Sequence, residues 1–84
     1  MYEVYVERAA ERDLRKLSAE AFHRIIPRIH ALAETPRPPG CRKLTGSESD
    51  WRIRIGDYRV VYEIDDAERP VRIFRVRHRR EVYR

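Results

Sequence analysis

Cysteine is nearly absent from this 84-residue sequence, which contains Cys41 alone and cannot form a disulfide within the chain. No run of apolar residues approaches the roughly 18 needed for a membrane helix, and charged residues follow Met1 at once, at Glu3, Glu7 and Arg8. One cysteine and three scattered histidines offer no recognisable metal-ligand spacing. These absences lead us to expect a soluble protein of the reducing cytoplasm that holds no metal.

The short length of the chain limits its core. We expect residues 1–84 to fold as a single domain, and a domain so small buries only about 60–65% of the surface that its unfolded chain exposes. Although 42% of the residues are hydrophobic, we expect no deep enclosed pocket for a large organic cofactor. The chemistry is therefore predicted on an open surface, without a cofactor.

Positive charge is concentrated in the C-terminal part of the chain. Residues 51–84 contain ten arginines and six acidic residues, whereas residues 1–50 carry nine basic residues and eight acidic ones. Arginine supplies 17 of the 19 basic residues, and its forked guanidinium suits the geometry of phosphate. The net charge of +5 favours a polyanionic partner, either a nucleic acid or an acidic protein.

The last eight residues, 77–84, combine four arginines with a histidine and a tyrosine. Fixed positive charge beside two groups that can move protons suits a phosphodiester better than other common substrates. A plainer interpretation applies to the arginines just before this tail. Arg72, Arg75 and Arg77 can form a solvated strand face, with Glu63 or Glu81 as their ion-pair partners.

Hydrophobic periodicity in the N-terminal half predicts one strand followed by two helices. Residues 2–7 alternate with the period of two that is typical of a half-buried strand. Residues 9–17 repeat apolar side chains every three or four positions, and a longer stripe of this kind covers residues 22–33. Ser18 is positioned to cap the longer helix, and Pro27 removes one of its backbone hydrogen bonds, so we expect a bend there.

A proline-rich segment, residues 36–40, ends the helical half of the chain. It cannot be helix or central strand, and beyond it Gly56-Asp57 is typical of a hairpin turn. The remaining predicted elements are strands at residues 51–55, 58–64 and 71–76, with a second turn at residues 65–70.

These elements predict an α+β domain. A single strand, a two-helix hairpin and a three-stranded antiparallel meander follow one another, with both helices packed on one face of a four-stranded sheet. Trp51, Tyr58 and Tyr62 alternate with polar residues as core aromatics do, so we do not interpret them as a platform for stacking bases.

Three segments of the chain resemble the RelE/ParE superfamily of bacterial toxins, and more specifically its RelE branch. They are Lys43–Gly46 (KLTG), residues 51–64 (WRIRIGDYRVVYEI) and residues 72–83 (RIFRVRHRREVY). The resemblance covers essentially the whole chain and has the predicted element order. It implies the toxin of a toxin–antitoxin pair, a ribosome-dependent mRNA endonuclease that stops translation by cutting codons in the ribosomal A site. The implied partners are an acidic antitoxin, encoded separately, and the ribosome with bound mRNA.

The resemblance also implies roles for arginines on the middle hairpin. Arg52 and Arg54 share one strand face and are expected to hold the RNA backbone, while Arg59 follows the hairpin turn and is expected to meet the same phosphate. Well-known members of the branch carry lysines at the positions of Arg52 and Arg54; arginine keeps the charge but is less able to transfer a proton. Arg77 and Arg80 complete the predicted RNA-binding set.

Proton transfer is assigned to residues near the C-terminus. Tyr83 matches the tyrosine that the family uses near the scissile group, either as the base, with neighbouring cations favouring its phenolate, or as a surface on which an RNA base stacks. His78 is a second candidate for proton transfer, or else is structural. Arg79 is the candidate for stabilising the transition state or the leaving group, and Arg80 serves instead if the register of the tail differs by one residue.

Two other functions remain open. Toxins of the ParE branch share the scaffold but act on DNA gyrase by protein contact and catalyse nothing, and fold alone does not separate the branches. The clustered arginines, histidine and tyrosine of residues 77–84 favour the nuclease, because ParE-like toxins generally lack them. A degenerate toxin that survives as an antitoxin-binding or operator-binding module is the third possibility.

Overall fold

A computed structural model describes the backbone of residues 1–82 and the side chains of residues 1–81. Over this range the chain forms an α+β fold with a five-stranded mixed sheet and three helices. The elements are β1 (Glu3–Val6), α1 (Arg8–Arg15), α2 (Ala19–Ala31), β2 (Arg42–Lys43), β3 (Asp50–Ile55), β4 (Tyr58–Ile64), β5 (Pro70–His78) and α3 (Arg79–Val82). Within residues 1–82, no helix combines the length and apolar character needed to cross a membrane.

The strand order in the sheet is β1-β5-β4-β3-β2. β1 runs parallel to β5, and the other neighbours are antiparallel, so the predicted meander of β3, β4 and β5 is confirmed. The prediction of four strands is corrected to five, because β2 adds a short edge strand in which Arg42 lies opposite Arg52 and Lys43 opposite Trp51. A strand of two residues is too short to produce a periodic sequence pattern.

One face of the sheet carries the hydrophobic core, with α1 and α2 packed on it. Tyr62, at the centre, is fully buried, and its hydroxyl donates a hydrogen bond to the Pro36 carbonyl at 2.8 Å, which ties the proline-rich segment to β4. Trp51 and Tyr58 pack against the core, as predicted. The buried hydrophobic residues are Ala10, Leu14, Ala21, Ile25, Ile29, Leu32, Ile53, Ile55, Val60, Tyr62, Ile64, Val71, Ile73 and Val76.

Local signals in the sequence set the start of α2. The Ser18 hydroxyl accepts a hydrogen bond from the Ala21 N–H at 3.1 Å, which confirms the predicted cap. The helix is continuous from Ala19 to Ala31 and includes Pro27, which is exposed to solvent.

A β-bulge in β5 decides which of its side chains face the core. On β4, Val61 lies opposite Arg75. Its neighbour Tyr62 lies opposite Ile73, so Phe74 is an extra residue in β5. Strict alternation would place Arg75 on the same face as Ile73. The bulge instead turns Arg75 to the face away from the core.

Helix α1 provides hydrogen-bond acceptors for the edge of β5 beyond the last residue that pairs with β1. The last residue of β5 paired with β1 is Ile73. Beyond it, the Asp13 carboxylate accepts a hydrogen bond from the Val76 N–H at 2.9 Å and two from the Arg75 guanidinium, at 2.8 and 3.2 Å. Burial opposes ionisation of this carboxyl, but the hydrogen bonds from Arg75 and Val76 outweigh burial and hold the pKa of Asp13 below its ordinary value.

Candidate nucleic-acid interface

A row of three arginines crosses the face of the sheet opposite the core. Arg54 on β3 lies opposite Arg59 on β4, and Arg59 lies opposite Arg77 on β5. Residues directly opposite each other in an antiparallel pair place their side chains on the same face, and like charges in that position are destabilising. This first row therefore concentrates positive charge where an anion can bind to it.

A second row of arginines lies beside the first. Arg42 on β2 is opposite Arg52 on β3, Arg52 is opposite Val61 on β4, and Val61 is opposite Arg75 on β5. Together the two rows carry six arginines of the exposed face, and five of them belong to the arginine-rich residues 51–84.

A third row, next to the second, contains a pair of opposite charges. Arg72 lies opposite Glu63, with 3.7 Å between Nη1 and Oε1, as expected from the sequence. Arg75 pairs with Asp13 on α1, a partner that the sequence did not indicate. The bulge at Phe74 places Arg75 on the face away from the core, and its guanidinium still reaches the Asp13 carboxylate, which a count of alternating residues does not reveal.

Three cavities open on the arginine rows. The turn cavity, of about 130 Å³, is lined by Arg54, Gly56, Asp57, Tyr58, Arg59 and Arg79. The strand cavity, of about 450 Å³, is lined by Leu44, Arg52, Arg59, Val61, Arg75, Arg77 and Glu81. The edge cavity, of about 310 Å³, is lined by Gly40, Arg42, Arg52 and Arg54.

Each two of the three cavities share one arginine of their lining. Arg54 lines the turn and edge cavities, Arg59 lines the turn and strand cavities, and Arg52 lines the strand and edge cavities. The sequence predicted these three as RNA-contacting residues, and they lie at the junction of the cavities. A chain of phosphates that follows the cavities would pass guanidinium groups from β3 and β4 at each step.

Arg79 reaches the turn cavity because α3 is fastened to the hairpin turn between β3 and β4. The Arg79 N–H donates a hydrogen bond to the Asp57 carbonyl at 2.7 Å. The guanidinium is also 3.8 Å from the Asp57 carboxylate, but both side chains are about two-thirds exposed, so this ion pair contributes little. The backbone contact therefore holds Arg79 beside Arg54 and Arg59.

His78 caps α3 through a reciprocal pair of hydrogen bonds. Its backbone N–H donates to Glu81 Oε1 at 2.9 Å, and its ring Nδ1 accepts from the Arg80 N–H at 3.2 Å. This is the arrangement of a capping box, with His78 at the cap and Glu81 three residues later. Because Nδ1 accepts a hydrogen bond, the proton of the neutral ring is on Nε2.

The ring of His78 lies outside the three arginine cavities. It makes an edge contact with Tyr58, with ring centroids 5.2 Å apart, and lines a separate cavity that also includes Asp13 and Lys16. Arg80 is exposed on α3, and the described linings of the three arginine cavities do not include it. Tyr83 lies outside the described residues.

Sequence reasoning missed two residues of this interface. Arg42 follows the proline-rich segment, where no pattern indicates a strand, and only its pairing with Arg52 places it in the second row. Asp13 was an unremarkable acidic residue of a predicted helix. Among residues 1–81, no group of three or more His, Cys, Asp or Glu side chains comes together in a way that could hold a metal ion.

The family of the chain follows from comparison with known proteins. Residues 4–83 match the family described as the ParE toxin of the type II toxin–antitoxin system parDE. A search of curated proteins found no match.

Several solved structures of RelE toxins are similar to this chain. A chain of the Mycobacterium tuberculosis RelBE2 toxin–antitoxin complex is 30% identical, with a TM-score of 0.81 over 92% of this chain and 96% of that one. Isolated E. coli RelE is 26% identical, with a TM-score of 0.81 over 99% and 92%. The RelE–RelB complex of Pyrococcus horikoshii gives 25% identity and a TM-score of 0.82 over 93% and 94%. The chain therefore belongs to the RelE/ParE superfamily and is a toxin of a type II toxin–antitoxin system.

Proposed function

We propose that this toxin is a ribosome-dependent mRNA endonuclease that inhibits translation in the cytoplasm. The observation that carries the proposal is the junction of three cavities at Arg52, Arg54 and Arg59. A single RNA strand offers such a surface a series of phosphates, which would offset the repulsion within the arginine rows.

The proposed reaction uses the ribose 2′-OH as the nucleophile. Its oxygen attacks the adjacent phosphorus, the bond from phosphorus to the 5′ oxygen of the next nucleotide breaks, and a 2′,3′-cyclic phosphate and a 5′-OH result. A base takes the proton of the 2′-OH, and an acid gives a proton to the leaving oxygen. Negative charge develops on the phosphorane oxygens, where fixed cations stabilise it.

The residues around the turn cavity suit the electrostatic part of this reaction. Arg54, Arg59 and Arg79 present three guanidinium groups to a cavity of about 130 Å³. Guanidinium groups stay protonated in proteins, so the proton transfers are assigned to Tyr83 and His78. Because Nδ1 accepts from the Arg80 N–H and Nε2 carries the proton, the neutral His78 ring has no free lone pair, so its role in proton transfer requires that hydrogen bond to break.

The remaining arginines of the face have a binding role in this proposal. Arg52 and Arg77 line the strand cavity and would position the RNA backbone there. Arg80, which is exposed on α3, would contact RNA or the ribosome outside the cavities. Because the three cavities have volumes of only about 130–450 Å³, correct placement of the codon would come from the ribosome.

The proposal includes an antitoxin partner. RelB accompanies RelE in the M. tuberculosis and P. horikoshii complexes. By analogy, we assign this toxin a separately encoded antitoxin, acidic and partly disordered before it binds, since such a segment complements a chain of net charge +5.

Inhibition of DNA gyrase is the competing function, and the description of the matching family as ParE toxins favours it. It requires contact between two proteins and no RNA chemistry. A gyrase supercoiling assay tests it directly, since inhibition at stoichiometric toxin would support a ParE-like action and oppose the nuclease.

The nuclease proposal is tested by adding the purified toxin to a translating extract and mapping the 5′ ends of the mRNA. Arg59→Ala is expected to lower cleavage by about 10²–10³-fold, the effect of removing one group that stabilises developing charge. Arg72→Ala is the matched control, because it removes an arginine from the same face that pairs with Glu63. Translation arrest with intact mRNA, or equal cleavage by all variants, would refute the mechanism.

Tyr83→Phe separates the two roles of the tyrosine in the same extract. The substitution removes the hydroxyl and keeps the ring. Loss of about 10²-fold or more in cleavage supports a proton-transfer role, whereas unchanged cleavage supports stacking on an RNA base.

A further inference from the structure

We propose that the edge cavity is a second phosphate-binding site, which holds a backbone phosphate next to the scissile one. Arg42 is the residue that distinguishes this site, because it contacts this phosphate and not the scissile one. The inference rests on the proposed function, because it takes RNA as the occupant. It adds a residue, and a direction for the RNA strand, that the sequence did not indicate.

The position of Arg42 in the sheet is the first argument. β2 consists of Arg42 and Lys43, and it pairs with β3 so that Arg42 is directly opposite Arg52. This edge pairing would be stronger with an acidic or neutral residue at position 42. An arginine there places a second guanidinium beside that of Arg52, and a phosphate between the two could accept charge-assisted hydrogen bonds from both.

The connection between cavities is the second argument. Arg54 lines both the turn cavity and the edge cavity, so one guanidinium lies between the proposed reaction site and the proposed second site. A phosphate in each cavity would share Arg54, with Arg59 and Arg79 on one side and Arg42 on the other. The RNA strand would then run from the α3 side of the sheet toward the β2 edge, across β3.

The chemistry of the cavity lining favours a phosphate. The side chains that line the edge cavity are three arginines, and Gly40 contributes backbone without a side chain. A Cβ built on Gly40 would meet no atom within 4 Å, so the entrance beside it is open. No carboxylate is among the described lining residues, whereas Asp57 lines the turn cavity and Glu81 the strand cavity. The edge cavity is therefore the most uniformly cationic of the three.

The test measures binding without cleavage or ribosomes. The probe is a short single-stranded RNA with a 2′-deoxy nucleotide at the cleavage position, and a series of such RNAs each carries one neutral methylphosphonate in place of a phosphate. Binding is followed by NMR titration from about 50 to 200 mM salt, the range over which phosphate contacts change affinity most visibly. Arg42→Ala is compared with Lys43→Ala, which removes the same charge from the next residue, on the opposite face.

The proposal predicts about a tenfold loss of affinity in Arg42→Ala, the size of one charged hydrogen-bond contact. The slope of affinity against salt should fall by about 0.7, the value for one single-strand phosphate, whereas Lys43→Ala changes neither quantity. One methylphosphonate next to the cleavage position should weaken binding to the wild type and have no further effect in Arg42→Ala.

Three results would overturn the proposal. Equal losses in Arg42→Ala and Lys43→Ala would mean that only the general field of the protein attracts RNA. Continued sensitivity of Arg42→Ala to every methylphosphonate would mean that another residue holds the phosphate. Unchanged RNA affinity with weaker binding of a poly-glutamate peptide would assign the cavity to an acidic protein. If extracts show no mRNA cleavage but the Arg42-dependent phosphate contact persists, the nuclease function fails and the binding site stands.

Discussion

Arg54 on β3 and Arg59 on β4 are directly opposite each other on neighbouring strands, and both line the turn cavity. Their repulsion weakens the hairpin, and their combined charge is what the proposed reaction needs. Stability and activity are therefore expected to change in opposite directions when this pair is altered.

Arg54→Gln tests whether stability and activity change in opposite directions. Removing one charge from the pair should raise the free energy of unfolding by about 0.2–1 kcal/mol, the range for cross-strand pairs, while mRNA cleavage in a translating extract falls at least tenfold. Arg72→Gln should lower the stability slightly, because it breaks the pair with Glu63. Denaturant unfolding of both variants checks the signs, and a less stable Arg54→Gln variant would contradict the repulsion.

Asp13 is expected to be among the most important polar residues for stability. Asp13→Ala removes the acceptor of the Val76 N–H and of two Arg75 hydrogen bonds. Unfolding experiments at neutral pH should show a loss of about 2–3 kcal/mol, since the lost bonds are charge-assisted. Asp66→Ala is a useful comparison, because its ion pair with Arg37 and its hydrogen bond from the Tyr2 hydroxyl are exposed to solvent, so their loss should destabilise the protein much less.

The same aspartate should make stability depend on pH in the acid range. Its folded-state pKa lies below the ordinary aspartate value, so its contribution is fully present above about pH 4, the unfolded value. The contribution is lost as the pH falls from there through the folded-state pKa. Unfolding curves of the wild type should lose this component below about pH 4, and those of Asp13→Asn should not.

The capping box at the start of α3 gives a way to separate the structural and chemical roles of His78. His78→Asn keeps a side chain that can cap a helix and removes the imidazole, whereas His78→Ala removes both. If His78 only holds α3 in place, Asn should retain most of the mRNA cleavage and Ala should lose it. If the ring transfers a proton, both variants should lose about 10²-fold or more.

The hydroxyl of Tyr62 is expected to hold the proline-rich segment against β4. Tyr62→Phe keeps the buried ring and leaves the Pro36 carbonyl without its 2.8 Å hydrogen bond. Thermal unfolding should show a loss of about 1 kcal/mol, and amide exchange should increase in the segment from Pro36 to Arg42. Exchange that rises equally throughout the protein would contradict a local role.

Much of this fold could be predicted because its signals are local. Alternation in residues 58–64 and the serine before α2 depend on neighbouring residues only, and both are confirmed. The bulge at Phe74 is different, since it depends on how β4 and β5 pair, and it alone decides that Arg75 faces away from the core. A count of alternating positions from the buried Val71 and Ile73 therefore assigns Arg75 and Arg77 to the core face, although both lie on the opposite one.

The site shows the same division between local and long-range information. Arg52, Arg54 and Arg59 could be found because they flank one hairpin turn in the sequence. Arg42 could not be found, because it lies ten positions before Arg52 and only the pairing of an edge strand brings the two together. The contact between the Arg79 backbone and Asp57, which places α3 at the turn cavity, is likewise a product of tertiary structure.

Binding of a polyanion to the arginine rows should also affect how long the protein survives in the cell. Folding aligns these arginines on one face, so a polyanion that covers them should bind the folded state more tightly than the unfolded one, and the occupied protein should open less often. Digestion by proteases follows the frequency of such opening when reclosing is fast. The toxin without a bound polyanion is consequently the form that a cell should degrade fastest. A variant with fewer charges on this face should persist longer but cleave less mRNA.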